Sequence, residues 1–251
     1  MRRGFPAQAE RLAASVRAEL GLDLHDRLDP EGLAEEYGVP VVPITDLIAE
    51  GALSASIQQL TVIDDGCFSA GTVLAGSSRL IIFNPVHGDG RLANSVTHEL
   101  AHLLLEHRPG PAIGPGGCRV WDQEMEDEAN LLAATLLVSR DAALACARVG
   151  LPHEIGAARF GVSTELMRWR TGHSGAARQA QAAARKQGRT LPRPKASDIR
   201  EVMSACDVHW LKGLTAYQWQ VVLSTAARAL ESRSLPALIR ALNPPRAAKG
   251  A

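Results

Sequence analysis

Apolar positions along the chain recur on two periods, and these divide it into elements. Residues 7–20 repeat apolar side chains at helical spacing. "LDPEGLAEEYG" carries the signals of a second helix, with Asp29 as N-cap, Pro30 at the first helical position and Gly38 closing it. "VPVVPI" reads as a short extended segment. "LTVIDDGCFSAGTVLA" and "RLIIFNP" hold strand-like runs split by Gly and Asp turns, which predicts a small, mostly antiparallel sheet. From Ala93 to His107 the period becomes helical, until Pro109, Gly110 and Pro111 stop it and "GPAIGPGG" forms a loop. "WDQEMEDEANLLAATLLVSRDAALACARVG" predicts one long helix and then a shorter one. "EIGAARFGVSTELMRWRTG" predicts two short helices joined at Gly161, the second capped by Ser163 or Thr164. The Ala/Arg-rich stretch 176–197 ends in prolines and reads as a linker with some helix. Residues 198–242 return to amphipathic helix. No internal repeat is present.

Composition and charge refine this α+β picture. With 251 residues and 46% hydrophobic content the chain is globular rather than disordered. No apolar run reaches the ~18 residues of a membrane span. The opening "MRRGFPAQAERLAASVRAELG" lacks the apolar core of a secretory signal and is expected to be a helix instead. Four cysteines (67, 118, 146 and 206) stand far apart with no C-x-x-C pair, so neither a disulfide framework nor a zinc knuckle is expected. That usage suits a reducing cytoplasm. The formal charge of zero hides an asymmetry: residues 1–175 hold 14 basic and 23 acidic side chains, a net of −9, and residues 176–251 hold 13 and 4, a net of +9. A basic tail on an acidic body can bind a polyanion or fold back on the body.

The chemistry concentrates in "SVTHELAHLLLEH". On a helix, His98 and His102 lie about 40° apart around the axis and roughly 6 Å apart along it, so both rings can reach one ion. Glu99 beside them is placed to take a proton from water. H-E-x-x-H is a recurrent metal-site spacing for this reason. A catalytic zinc takes three protein ligands and keeps one position open. Glu106 shares a face with His102 but lies about 12 Å along the axis from His98, too far for bonds of about 2 Å. The third ligand therefore comes from another element, and the acidic start of the helix after Trp121 is the source. There Ala129, Leu132, Ala133, Leu136 and Leu137 form one apolar arc. Glu126 lies about 50° from its centre, Glu128 about 110°, and Glu124 and Asp127 about 150°. Only Glu126, with Asp122 a turn earlier, points toward a core-facing partner, so Glu126 is the expected third ligand and Glu128 the alternative. A buried carboxylate needs such a partner, because unpaired burial costs several kcal/mol.

These residues resemble a known family. "SVTHELAHLLLEH", then "EMEDEANLLAATLLVS", then "ARFGVSTELMRWRTG" are similar to the ImmA/IrrE-type metallopeptidases, in which an H-E-x-x-H helix is followed by E-x-x-A-N-x-F-A-A-x-L-L. Upstream, "LAEEYGVPVV" and "LIIFNP" resemble that family's first helix and the strand before its zinc helix. The resemblance covers roughly residues 10–175. It implies a zincin-like α+β domain, one Zn²⁺ per chain on His98, His102 and Glu126, and Glu99 as general base. It further implies a cytoplasmic protease, and several members cleave a helix-turn-helix repressor to switch on stress or mobile-element genes. Leu132 stands where the family has Phe, and "LLVS" replaces Leu-Leu-Met-Pro. Both are packing positions. The expected organisation is a metallopeptidase domain over 1–175, a linker over 176–197 and a basic helical region over 198–251, with strand "RLIIFNP" as the sheet edge for an extended protein substrate.

Two other readings compete. "ARFGVSTELMRWR" looks like a helix-turn-helix, within a DNA- or protein-binding regulator that would use 153–173, with Arg168 and Arg170 offered to a groove. The 176–251 tail could also contact nucleic acid. A purely structural zinc would normally fill four positions with Cys or His, and no such spacing exists here. His87, His107, His153 and His173 are candidates to stabilise an oxyanion, and Cys118 to reach the ion as an inhibitory thiolate.

Overall fold

In the computed structural model, the described residues are 1–75, 78–107 and 122–245. They fall into two units, one built from Met1–Leu20 and Leu28–Leu137, the other from Gly21–Arg27 and Val138–Ala251.

The first unit holds helices α1 (Phe5–Glu19), α2 (Pro30–Glu36), α3 (Ser54–Gln58), α4 (Asp89–Leu104) and α5 (Gln123–Leu137), with strands β1 (Val41–Pro43), β2 (Ala70–Ala75) and β3 (Ser78–Phe83). The strand order is β1-β3-β2, with β1 parallel and β2 antiparallel to β3. The expected mostly antiparallel sheet is therefore mixed. "RLIIFNP" is its central strand, paired on both sides, so it cannot be the edge; the edges of this sheet are β1 and β2. Leu60–Ile63, read as strand, lies instead in a helical turn spanning Gln59–Ile63. Two side-chain bonds favour that turn: Thr61 Oγ1 donates to the Ile57 carbonyl at 2.9 Å and Asn84 Nδ2 to the Leu60 carbonyl at 2.9 Å.

Helix α1 buries Phe5, Ala9, Ala13 and Val16 at spacings of four and three, the stripe one face of a helix requires, and packs on α5. Its Arg17 is buried too and donates to the Leu136 carbonyl at 2.6 Å. Helix α4 packs on α5 and also touches β2, β3 and α2. The α4–α5 pairing positions the site.

The second unit is helical: α6 (Arg140–Val149), α7 (His153–Phe160), α8 (Thr164–His173), α9 (Ala176–Lys186), α10 (Ala196–Ala205), α11 (Val208–Lys212), α12 (Ala216–Glu231) and α13 (Leu235–Ala241). Gly161 takes φ 68 between α7 and α8, and Ser163 caps α8 by accepting from Leu166 N–H at 3.1 Å. Helices α7 and α8 approach closely at Gly156, where a Cβ would meet Met167 Cε at 2.7 Å and require that flexible side chain to move. The stretch read as a linker contains α9, whose Ala176, Ala180 and Ala184 form a buried stripe; α9 packs on α6 and α8. Trp219 is fully buried beside Phe160, as a core residue, and Trp210 is half-buried. Among the described residues no single helix is long and apolar enough to cross a membrane.

Candidate metal centre

Helix α4 buries Ala93, Val96, Thr97, Leu100 and Ala101, which leaves His98, Glu99 and His102 on its flank. Helix α5 brings Glu126 across from them. His102 Nε2 lies 3.1 Å from His98 Nε2, and Glu126 Oε2 lies 3.2 Å and 3.6 Å from the two nitrogens. These three atoms form the one His/Cys/Asp/Glu cluster among the described residues that could hold a metal ion. The spacing suits zinc: ligands at about 2.0–2.1 Å in a tetrahedron stand about 3.3–3.4 Å apart. Side-chain exposures of 17%, 22% and 18% for His98, His102 and Glu126 leave the cluster reachable from solvent.

Burial, with the neighbouring His98 ring, holds the His102 imidazole below its usual range, against the pull of Glu126 and Glu99. The neutral ring is the one that ligates a metal. Glu99 stands clear of the three-atom cluster and accepts a 2.7 Å hydrogen bond from Thr72 Oγ1 on β2.

Of the residues singled out from sequence, His98, His102 and Glu126 come together with Glu99 beside them. Glu128 does not join them. It is buried, and its carboxylate is bound by Arg2 through Nε at 2.8 and 3.1 Å, Nη2 at 2.7 Å and the backbone N–H at 3.0 Å. That hydrogen bonding holds the Glu128 carboxyl below the usual carboxylate range. Its place about 110° from the centre of the apolar arc points it away from the core, and it is Arg2 that covers it. His107 lies against His102, Nδ1 to Nδ1 at 3.0 Å. His87 Nε2 pairs with the Asp65 carbonyl at 2.8 Å, and His173 stacks on Trp169 in the second unit. Cys118 lies outside the described residues. Thr72 and Arg2 were not legible as site residues, since a lone Thr in a strand and an arginine 126 positions before its partner carry no spacing signal. In α8, Arg170 is 1% exposed and its Nε donates to the Val138 carbonyl at 2.8 Å, so it is not offered to a groove. Arg168 is exposed.

Two helices, one carrying H-E-x-x-H and the next a carboxylate facing both histidines, define a candidate metallopeptidase centre. Residues 62–171, a little under half of the chain, match the family model of the IrrE N-terminal-like domain (Peptidase_M78), so over this segment the chain is similar to the ImmA/IrrE metallopeptidases. That family is zinc-dependent. No curated protein and no solved structure matches the chain.

Proposed function

We propose that this protein is a zinc-dependent endopeptidase with a zincin-like catalytic unit, its ion held by His98, His102 and Glu126. The observation that carries the reading is the approach of two imidazole nitrogens and one carboxylate oxygen to within 3.1–3.6 Å of one another, next to Glu99. When bound, the ion supplies Lewis acidity toward a water and a peptide carbonyl. The remaining work falls to this chain's own groups. His98 and His102 each present a ring-nitrogen lone pair. Glu99 takes the proton from the attacking water and returns it to the leaving amine. Thr72 steadies the Glu99 carboxylate through its 2.7 Å bond. Because Thr72 lies on β2, the sheet edge runs past the general base. An extended peptide pairing with β2 would carry its scissile bond toward Glu99.

The family resemblance supports a protein substrate of the helix-turn-helix repressor class, cleaved in the cytoplasm to derepress stress or mobile-element genes. The test is metal analysis joined to cleavage of helix-turn-helix repressors from the same genome. The wild type should carry about one zinc per chain, removable by chelator, and cut a repressor. Glu126→Ala should lose ion and cleavage together. A wild type free of zinc, or Glu126→Ala with full zinc content, contradicts the ligand assignment.

A further inference from the structure

We infer that His107 is a positioning residue for His102, holding that ring with Nε2 toward the ion through their Nδ1–Nδ1 hydrogen bond, with the charge of the Arg2-held Glu128 carboxylate behind it. The inference rests on the metal-site reading above and concerns what lies behind one of its ligands.

His102 uses Nε2 to face His98 and Glu126, and its other ring nitrogen, Nδ1, lies 3.0 Å from His107 Nδ1. Between two ring nitrogens one must donate and one accept. If His102 Nε2 keeps its lone pair for the ion, His102 Nδ1 carries the hydrogen and His107 Nδ1 accepts it. His107 then carries its own hydrogen on Nε2, which faces Glu128 Oε2 at 3.8 Å. Glu128 is 3% exposed in its side chain and is held by Arg2, whose Nη2 donates to Oε2 at 2.7 Å. At 3.8 Å the His107–Glu128 approach is a charge contact rather than a hydrogen bond, and the negative Glu128 carboxylate favours the His107 tautomer with its hydrogen on Nε2. Such outer partners fix the tautomer and orientation of a metal-ligating histidine.

The backbone is shaped for this contact. At the end of α4, His107 N–H donates to the His102 carbonyl at 2.9 Å and Glu106 N–H to the Leu103 carbonyl at 3.0 Å, with Glu106 at φ 53. This closure usually places Gly at the left-handed position. Here it is Glu106, a conformation that costs an L-residue about 1–2 kcal/mol. The turn folds His107 back onto His102, with ring centroids 5.0 Å apart. His98 has no counterpart among the described residues, where its buried Nδ1 finds no partner.

The experiment measures zinc affinity of the full chain by competition with a chromophoric chelator, and the ring tautomer of His102 by nitrogen-15 NMR of the metal-free protein. His107→Ala should bind zinc 10–100-fold more weakly and lose the Nδ1–H preference of His102. His107→Gln, whose side-chain oxygen can still accept from His102 Nδ1–H, should recover most of both. A role confined to packing would leave the tautomer unmoved. A His107→Ala protein within twofold of wild-type affinity overturns the inference, as does a folded His107→Gln protein as weak as the alanine variant. A wild type that takes up no zinc overturns the metal-site reading itself, which separates the two failures.

Discussion

In the first unit, His98, Glu99, His102 and Glu126 are half-buried and face one another, whereas in the second Arg159 and Arg170 are fully buried and face backbone carbonyls. Arg159 donates to the carbonyls of His25 at 3.1 Å and Lys212 at 3.3 Å, and its guanidinium lies over the Phe160 and Trp219 rings. Both arrangements bring polar groups out of water, and both need a partner to offset that cost. The arginines have found theirs in the chain. The site residues are left with two histidine nitrogens and a carboxylate oxygen crowded together, an arrangement that a cation stabilises. A buried polar group that ends on a carbonyl is architecture; several that end on one another mark a site.

Substitutions in the two units should behave differently, and the largest effect is expected in the second unit. Trp219→Ala should cost about 3–5 kcal/mol of stability, read by urea unfolding, with zinc uptake at His98, His102 and Glu126 retained below the transition. In the first unit, Thr72→Val removes the donor to Glu99. A hydrogen bond to a charged group is worth about 1.5–3 kcal/mol, so kcat should fall roughly 10–100-fold while zinc content stays constant. Arg170→Met strands the Val138 carbonyl and should cost about 1–3 kcal/mol. Arg168→Ala, on the exposed side of α8, should stay within about 0.5 kcal/mol of wild type. Equal losses at the two positions would contradict the burial difference. Thiol reactivity gives a finer contrast. Burial pushes Cys146 up to about 12 and Cys206 to about 11, while Cys67 is exposed. Since the thiolate is the nucleophile, alkylation at pH 8 followed by mass spectrometry should label Cys67 before Cys206 and leave Cys146 intact until the protein unfolds.

What could be read from sequence depended on how local its cause was. The i, i+4 histidines, the helix ends at Gly161 and Ser163, and the inward aim of Glu126 follow from a single helix's periodicity, and each appears in the structure. Leu60–Ile63 resembled a strand because β-branched residues favour strands, yet backbone-directed bonds from Thr61 and Asn84 draw it into a helical turn. The place of β3 inside the sheet depends on pairing with β1, a contact across about 40 residues that no local pattern encodes. Ala176, Ala180 and Ala184 read as low complexity, although their four-residue spacing is a buried stripe. Arg2 reaching Glu128 and His107 folding back onto His102 are products of tertiary packing and of one left-handed residue, and spacing alone does not show them.

The most direct measurement is repressor cleavage by Glu99→Gln beside the wild type, with zinc content determined on both. The substitution keeps the side chain's shape and its bond from Thr72 but removes the basic carboxylate. Zinc content should remain at wild-type level while cleavage falls by about 10²–10⁴-fold, the usual consequence of losing a general base. A Glu99→Gln protein that retains its zinc and cuts as fast as the wild type would contradict the assignment of Glu99 and, with it, the peptidase mechanism.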